Sequence, residues 1–197
     1  MVSLIQRRKA LTQVLVLLFV MLASLVAFGQ SPSPSAASHP TVSLVPGGAA
    51  PDFTLPSVNG ETVSLSDLRG QTILIYFWAT WVGPCKIMTP WLVDLQNKYG
   101  ARGFHVLAVS LDDDITRVEL GEFADQNHMN FPVLVGNEKI AGLYGGVPGM
   151  PEIFLIDSDG KVSEIIVGIR DKSEIERSIK KTLNKRPDVT SNSPAQK

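Results

Sequence analysis

The stretch ILIYFWATWVGPC, residues 73–85, decides the fold of this chain. Its first part, Ile73 to Trp78, is a continuous apolar run, which is typical of a strand buried on both faces of a sheet. Its last three residues precede Lys86 to Tyr99, whose pattern predicts an amphipathic helix with a kink at Pro90. A buried strand that leads through a short turn into a helix indicates an α/β protein.

The region around this stretch, residues 47–184, continues the alternation of strands and helices. Two short β-forming runs on either side of Asn59-Gly60 predict a β-hairpin at its start. Further strands are predicted at Phe104–Ser110, Phe131–Val135, Glu152–Ile156 and Lys161–Val167. A second helix is predicted at Ile115–His128, with Val118 on its apolar face. A last helix is predicted to begin with a capping box formed by Ser173 and Glu176 and to end at Leu183. The turn at residues 157–160 joins two strands directly, so part of the sheet should be antiparallel. We therefore expect a mixed central sheet flanked by helices, with an N-terminal β-hairpin extension.

The two ends of the chain differ from this region in composition. Residues 10–28 carry no charge and follow Arg7-Arg8-Lys9, which predicts a signal peptide or an N-terminal membrane anchor over residues 1–29. Residues 30–46 are rich in Ser and Pro and are typical of a flexible tether. Residues 185–197 are polar and without periodicity, so we expect a disordered tail. This order predicts an extracytoplasmic domain, either anchored to the inner membrane through residues 10–28 or secreted after cleavage.

Charge and cysteine content exclude several kinds of site. The formal net charge of −1 gives no basic surface for nucleic acid. Cys85 is the only cysteine, so an intramolecular disulfide and a metal site built on several thiolates are both excluded. The three histidines have no partner at metal-binding spacing, and Asp112–Asp114 are read as the acidic end of a strand before a helix. We expect no cofactor and no metal.

Three stretches, in this order, resemble one family. APDFTLPSVNGETVSLSDLRGQTILIYFWATW, GPCKIMTP and GMPEIFLIDSDGKV are similar to TlpA-like thioredoxin-fold proteins of the redoxin (AhpC/TSA) superfamily, over nearly all of residues 47–184. The resemblance implies a thioredoxin-like α/β fold and a thiol-disulfide oxidoreductase or antioxidant protein. It also implies partners that contain thiols or disulfides, or peroxide as a substrate.

The family carries W-C-x-x-C where this chain has Trp81-Val82-Gly83-Pro84-Cys85. The resemblance places Val82 at the position of the exposed nucleophile and Cys85 at that of the deeper, resolving thiol. It also implies that Met150 and Pro151 are joined by a cis peptide bond, and that Met150, Pro151 and Glu152 form a peptide-binding groove facing the motif.

Three positions depart from the family pattern. Val82 removes the first thiol and with it the ordinary dithiol cycle. Tyr76 stands where relatives often have an Asp or Asn that assists proton transfer. Glu152 stands where the family usually has Thr, and a carboxylate there is expected to raise the pKa of the thiol. We therefore expect Cys85 to be partly buried and weakly reactive.

Three functions remain open from the sequence. The first is a redoxin-family protein with a degenerate single-cysteine site, which forms a mixed disulfide through Cys85 or is redox-silent. The second is a one-cysteine peroxidase, since peroxidases of the group keep their thiol at the position of Cys85. There Trp78 replaces the usual Pro and Val82 replaces a Thr whose hydroxyl aids catalysis. The third is a non-catalytic module that binds peptides in the groove. The partner, the electron donor and the oligomeric state stay open.

Overall fold

The computed structural model describes residues 44–185. Within this range seven strands are formed, in chain order β1 Thr54–Pro56, β2 Thr62–Ser64, β3 Thr72–Trp78, β4 Phe104–Ser110, β5 Val133–Val135, β6 Glu152–Ile156 and β7 Val162–Val167. The α-helices of the same range are α1 Gly83–Tyr99, α2 Arg117–Gln126, α3 Glu138–Leu143 and α4 Lys172–Leu183. Two short 3₁₀ helices cover Leu65–Leu68 and Gly100–Arg102.

Five of the strands form one mixed sheet, in the order β5-β4-β3-β6-β7. Strand β3 pairs in parallel with β4 and antiparallel with β6, and β7 pairs antiparallel with β6. All seven residues of β3 are buried, which confirms the strand predicted from its apolar run. The predicted mixed sheet and its antiparallel part are therefore both present.

The two faces of this sheet pack against different elements. Tyr76 and Trp78 belong to a core that also contains buried residues of α1, α2 and α4. Ile75 and Phe77, which alternate with them along β3, belong to a second core with Phe53 and other residues of the N-terminal segment. Because side chains of a strand alternate between faces, each residue of β3 can be assigned to one core by its position.

A β-hairpin precedes the sheet, as predicted. Strands β1 and β2 are antiparallel, with Leu55 opposite Val63. Gly60 has a φ of 87°, which is accessible to glycine without steric strain, and its N–H donates to Ser57 O at 3.0 Å to close the turn. An isolated bridge between Ser57 and Leu134 of β5 connects the hairpin to the edge of the main sheet.

Several helix boundaries differ from the prediction. Helix α1 begins at Gly83 rather than Lys86, because Pro84 falls in the first turn, where no intrahelical N–H bond is lost. Helix α2 is shorter at both ends than the predicted segment, and Val118 is 69% exposed instead of facing the core. Helix α3 was not predicted, since its six residues give too short a pattern.

The capping box predicted at Ser173 and Glu176 is wrong. Helix α4 begins two residues earlier than this box implies, at Lys172, and its N-cap is Asp171. The Glu176 carboxylate accepts hydrogen bonds from the Lys98 ammonium and the Tyr99 hydroxyl of α1 instead. The side chain of Glu176, which the local pattern assigned to the helix cap, therefore forms a contact between α4 and α1 instead.

The terminal segments predicted from composition lie mostly outside the described residues. This holds for the signal or anchor segment 1–29, for residues 30–43 of the tether and for residues 186–197 of the tail. Across residues 44–185, none of the helices combines the length and the apolar character needed to cross a membrane.

Candidate functional site

Residues Ala79–Val82 connect the end of β3 to the start of α1, and we call them the motif loop. Val82 is the N-cap of α1, with an extended backbone at φ −83° and ψ 112°. Its carbonyl accepts from the N–H of Cys85 at 3.1 Å, and its own N–H donates to Ala79 O at 3.2 Å. Trp81 is 69% exposed and Val82 is half-buried. The position that the resemblance assigns to the nucleophile therefore lies at the helix N-terminus, next to an exposed indole.

Cys85 lies in the first turn of α1 and has no exposed surface, so it is more deeply buried than the sequence suggested. The pKa of its thiol is raised, chiefly because burial disfavours the thiolate. Hydrogen bonds from the Ala79 backbone and the Tyr76 hydroxyl act in the opposite direction, and the charge of Asp112 raises the pKa further. The one thiol of the chain is thus an enclosed, neutral group.

Tyr76 projects from β3 beneath the start of α1. Its hydroxyl donates to the carbonyl of Cys85 at 3.1 Å, and Thr89 Oγ1 donates to the same carbonyl at 3.0 Å. Burial raises the pKa of Tyr76 well above its usual value, so the phenol stays protonated at neutral pH. Tyr76 can therefore donate a hydrogen bond here, but it cannot accept a proton from a reacting thiol at neutral pH.

The loop before β6 carries the expected cis peptide bond between Met150 and Pro151. Met150 and Val82 are both half-buried and pack against the same core cluster, which includes Cys85. The carbonyl of Pro151 accepts from Gly168 N–H at 2.7 Å, which links this loop to the segment after β7. Val82 of the motif loop and Met150 of the cis-proline loop therefore pack against one common core.

Glu152 does not act on Cys85 as the sequence analysis expected. It is one residue before Ile153, which faces the core of Cys85, and two before Phe154, which faces the opposite core. Alternation along β6 therefore puts Glu152 on the face away from the thiol. The carboxylate whose charge raises the pKa of Cys85 is Asp112.

Glu152 is nevertheless an unusual group. It is 3% exposed, and its Oε2 has no hydrogen-bond partner within the described residues. Burial raises its pKa to about 7. A carboxyl in such a place is stable when protonated and unfavourable when ionised.

Asp112 is the site residue that the sequence analysis missed. Both of its carboxylate oxygens accept from the backbone N–H of Thr80 at 3.1 Å, and Oδ1 also accepts from Thr80 Oγ1 at 2.7 Å. Ser110 Oγ, at the end of β4, donates to Oδ2 at 2.7 Å. The available signal was topological, because the carboxyl ends of the adjacent parallel strands β3 and β4 lie at the same edge of the sheet.

Asp113 and Asp114, the neighbours of Asp112, are exposed. Together with Trp81 and Ile115 they line an open recess of about 320 Å³ beside the motif loop. No group of three or more His, Cys, Asp or Glu residues between positions 44 and 185 is arranged to hold a metal ion.

Comparison with known proteins gives consistent matches. The AhpC/TSA family model matches residues 46–165. The thiol-disulfide oxidoreductase ResA of Bacillus thuringiensis (strain Al Hakam) is 38% identical over 136 residues, which is 68% of this chain and 77% of that protein. The ResA of Geobacillus kaustophilus (strain HTA426) is 35% identical over 134 residues, 68% of this chain and 75% of that protein.

Solved structures agree with the described fold. A thiol:disulfide interchange protein of the thioredoxin family from Chlorobium tepidum TLS superimposes with a TM-score of 0.65 at 28% identity, covering 71% of this chain and 98% of that one. A proposed thiol:disulfide interchange protein DsbE from Chlorobium tepidum has a TM-score of 0.65 at 41% identity, covering 72% of this chain and all of that one. The thioredoxin-like fold is thereby confirmed, and the chain belongs to the AhpC/TSA family of redoxins, among relatives of the thiol-disulfide oxidoreductase type.

Proposed function

We propose that this chain is an extracytoplasmic redoxin-family protein that binds thiol- or disulfide-containing polypeptides at its WVGPC site but does not run ordinary dithiol exchange. The observation that carries the proposal is the contrast between Val82 and Cys85. The accessible position at the helix N-terminus has no sulfur, and the sulfur that is present has no exposed surface.

Dithiol exchange needs two thiols in succession. A thiolate attacks a disulfide sulfur of the partner, and a second thiol then resolves the mixed disulfide. Here the second step has no second sulfur, because Cys85 is the only cysteine. A single mixed disulfide with Cys85 is the most that this chain can form, and it would remain until an external thiol released it.

The first step is also disfavoured at Cys85. The attacking species is the thiolate, and burial raises the pKa of this thiol. A partner disulfide could reach this sulfur only by passing the half-buried Val82 or after the first turn of α1 has locally unfolded. Formation of a mixed disulfide should therefore be slow, and recognition of the partner should not depend on it.

The surface that would bind a partner polypeptide does not require an accessible thiol. Trp81 presents an exposed indole, Val82 and Met150 are half-buried, and the facing loop carries the cis bond before Pro151. Exposed backbone beside an apolar surface can bind an extended polypeptide in strand-like fashion. These features support binding to a polypeptide, which is the part of the function that needs no accessible thiol.

Export belongs to the same proposal. The charged residues 7–9 followed by the uncharged run 10–28 support insertion into or passage across a membrane. Disulfides persist in oxidising compartments outside the cytoplasm, where partners with paired cysteines are common. The peroxidase alternative has no such support, because its thiol would need to be ionised and reachable by peroxide.

The test restores the missing sulfur. The wild-type domain should not accelerate the reduction of insulin disulfides by dithiothreitol. Val82→Cys should raise the rate of this reduction at least about tenfold over the uncatalysed reaction, because a thiol at the helix N-terminus is activated. Val82→Ser is the matched control, since it adds a polar group of similar size at the same place without a thiol.

Two further outcomes would contradict the proposal. One is turnover by the wild-type domain that is lost in Cys85→Ala, because Cys85 would then be a working nucleophile. The other is a Val82→Cys variant in which the introduced thiol forms a disulfide with Cys85, seen as the loss of both free thiols, yet which gives no turnover. In that case the surrounding site would not be of the oxidoreductase type.

A further inference from the structure

Asp112 connects the motif loop to the central sheet. Its carboxylate receives three of its hydrogen bonds from Thr80, two from the backbone N–H and one from the hydroxyl. Thr80 lies in the middle of the motif loop and immediately before Trp81. This one side chain therefore bonds the motif loop directly to the segment after β4.

The other end of the contact is rigid. Ser110 is the last residue of β4 and is buried, and its hydroxyl both donates to Asp112 Oδ2 at 2.7 Å and accepts from Asp112 N–H at 3.1 Å. Hydrogen bonds to a charged carboxylate are about twice as strong as those between neutral groups. The loop that presents Trp81 and Val82 is thus fastened to the sheet by charge-assisted bonds.

The same carboxylate acts on Cys85 through its charge. Tyr76 from β3 acts on the pKa of the thiol through a hydrogen bond, and Asp112 from the segment after β4 acts through its charge. Lys86 of α1 is exposed, and Glu152 of β6 lies on the opposite face of the sheet. Burial is the chief reason that the pKa of Cys85 is raised, and the charge of Asp112 adds a smaller effect in the same direction.

We propose that Asp112 is a positioning residue of this site: its carboxylate holds the motif loop, which presents Trp81 and Val82, against the end of β4. This inference deepens the proposed function, because it names a residue that fixes the proposed binding surface. The charge of the same carboxylate adds a smaller effect to that of burial in raising the pKa of Cys85. The two effects separate by substitution, since one needs hydrogen-bond acceptors and the other needs charge.

The experiment titrates the one cysteine of the full domain, labelled with ¹³C at Cβ, and follows its chemical shift against pH. Asp112→Asn keeps an acceptor for Thr80 and removes the charge. The titration midpoint of Cys85 should fall below that of wild type, because a negative charge near the thiol is lost. Asp113→Asn removes the adjacent, exposed charge as a matched control and should leave the midpoint within error of wild type, because solvent screens it.

The positioning effect is read separately, from acrylamide quenching of Trp81 fluorescence in a background with Trp78 and Trp91 replaced by Phe. Thr80→Val removes one bond to the carboxylate and leaves its charge. It should raise the quenching constant of Trp81 while the Cys85 midpoint changes little. Because Thr80 is only half-buried, this variant should fold even if a change at Asp112 does not.

Failure of this inference is distinguishable from failure of the proposed function. An unchanged Cys85 midpoint in Asp112→Asn, or an equal shift in Asp113→Asn, would overturn the charge effect. Unchanged quenching of Trp81 in Thr80→Val would overturn the positioning effect. Both measurements use the free protein with Val82 in place, so they hold whatever the insulin assay of Val82→Cys gives.

Discussion

Two buried acids with raised pKa values lie on opposite faces of the sheet, and their surroundings give them different roles. Tyr76 satisfies its hydroxyl at the carbonyl of Cys85, so its burial is compensated by a hydrogen bond. Glu152 is also buried, but one of its oxygens has no partner in the described part of the chain. The first residue stabilises the start of α1 at any ordinary pH. The second can stabilise the fold only while it holds a proton.

Glu152 should make the stability of the domain fall as pH rises. Its pKa is about 7 in the folded protein, against an ordinary value of 4.5. Between these values the folded state binds a proton that the unfolded state has released, so the stabilisation is complete below about pH 4.5 and is lost as pH rises through 7. The loss is up to about 3 kcal/mol. Urea unfolding at several pH values measures it.

Glu152→Gln is the informative variant, because it has nearly the same shape and does not ionise. It should flatten the pH dependence between pH 4.5 and 7 and be more stable than wild type at pH 8. Glu122→Gln, at an exposed position of α2, serves as the control and should keep the wild-type slope. A Glu152→Gln profile parallel to that of wild type would show that this carboxyl does not carry the dependence.

At the scale of elements, the helices begin in different ways. Helix α1 begins with Val82, whose side chain makes no capping bond, and uses Pro84 in its first turn. Helix α2 begins with a complete capping box, in which Thr116 Oγ1 accepts from Glu119 N–H and Glu119 Oε2 accepts from Thr116 N–H. The sequence pattern S/T-x-x-E occurs at both Thr116 and Ser173. Only the first forms the box, because tertiary contacts occupy Glu176.

Thr116→Ala should lower the free energy of unfolding by about 1 kcal/mol, because an orphan N–H at the start of α2 loses its acceptor. Thr116→Ser keeps the hydroxyl and should lie close to wild type. Ser173→Ala changes the residue that only looks like a cap, and it should stay within about 0.5 kcal/mol of wild type. Chemical denaturation followed by circular dichroism measures all three. Equal losses at positions 116 and 173 would contradict the assignment.

At the scale of the whole molecule, Tyr144 joins parts of the chain that are far apart in sequence. Its ring contacts Phe53 of the N-terminal segment, Phe77 of β3 and Phe154 of β6. Its hydroxyl donates to the carbonyl of Pro51 at 2.8 Å. The residue follows α3, the helix that the sequence did not predict, so this core depends on an element that is recognisable only from tertiary packing.

Tyr144→Ala should therefore destabilise the entire domain, by about 3–5 kcal/mol, because a large buried ring is replaced by a cavity. Tyr144→Phe removes only the hydroxyl and should cost about 1 kcal/mol, the usual value for one hydrogen bond. Unfolding should stay a single transition by tryptophan fluorescence and by far-ultraviolet circular dichroism. A separate early transition in Tyr144→Ala would show that the N-terminal segment unfolds on its own.

The architecture was largely predictable because its signals are local and strong. An apolar run as long as Ile73–Trp78 leaves few alternatives to a central strand, and Asn59-Gly60 between β-forming residues favours a hairpin. The failures occurred where a local pattern competed with distant contacts. Val118 fits the helical period of the apolar face of α2 yet is exposed, and Glu176 fits a cap yet bonds to α1.

The sequence by itself determined how many thiols are available, since Cys85 is its one cysteine. Only the tertiary structure decided how deeply that cysteine is buried and in which direction its pKa is shifted. Burial, and the approach of Asp112 from a neighbouring strand end, are consequences of packing between segments that are remote in the chain. Tertiary structure also decided the position of Glu152, which follows Pro151 of the predicted groove directly in the sequence. The register of β6 in the sheet puts its side chain on the face away from the thiol.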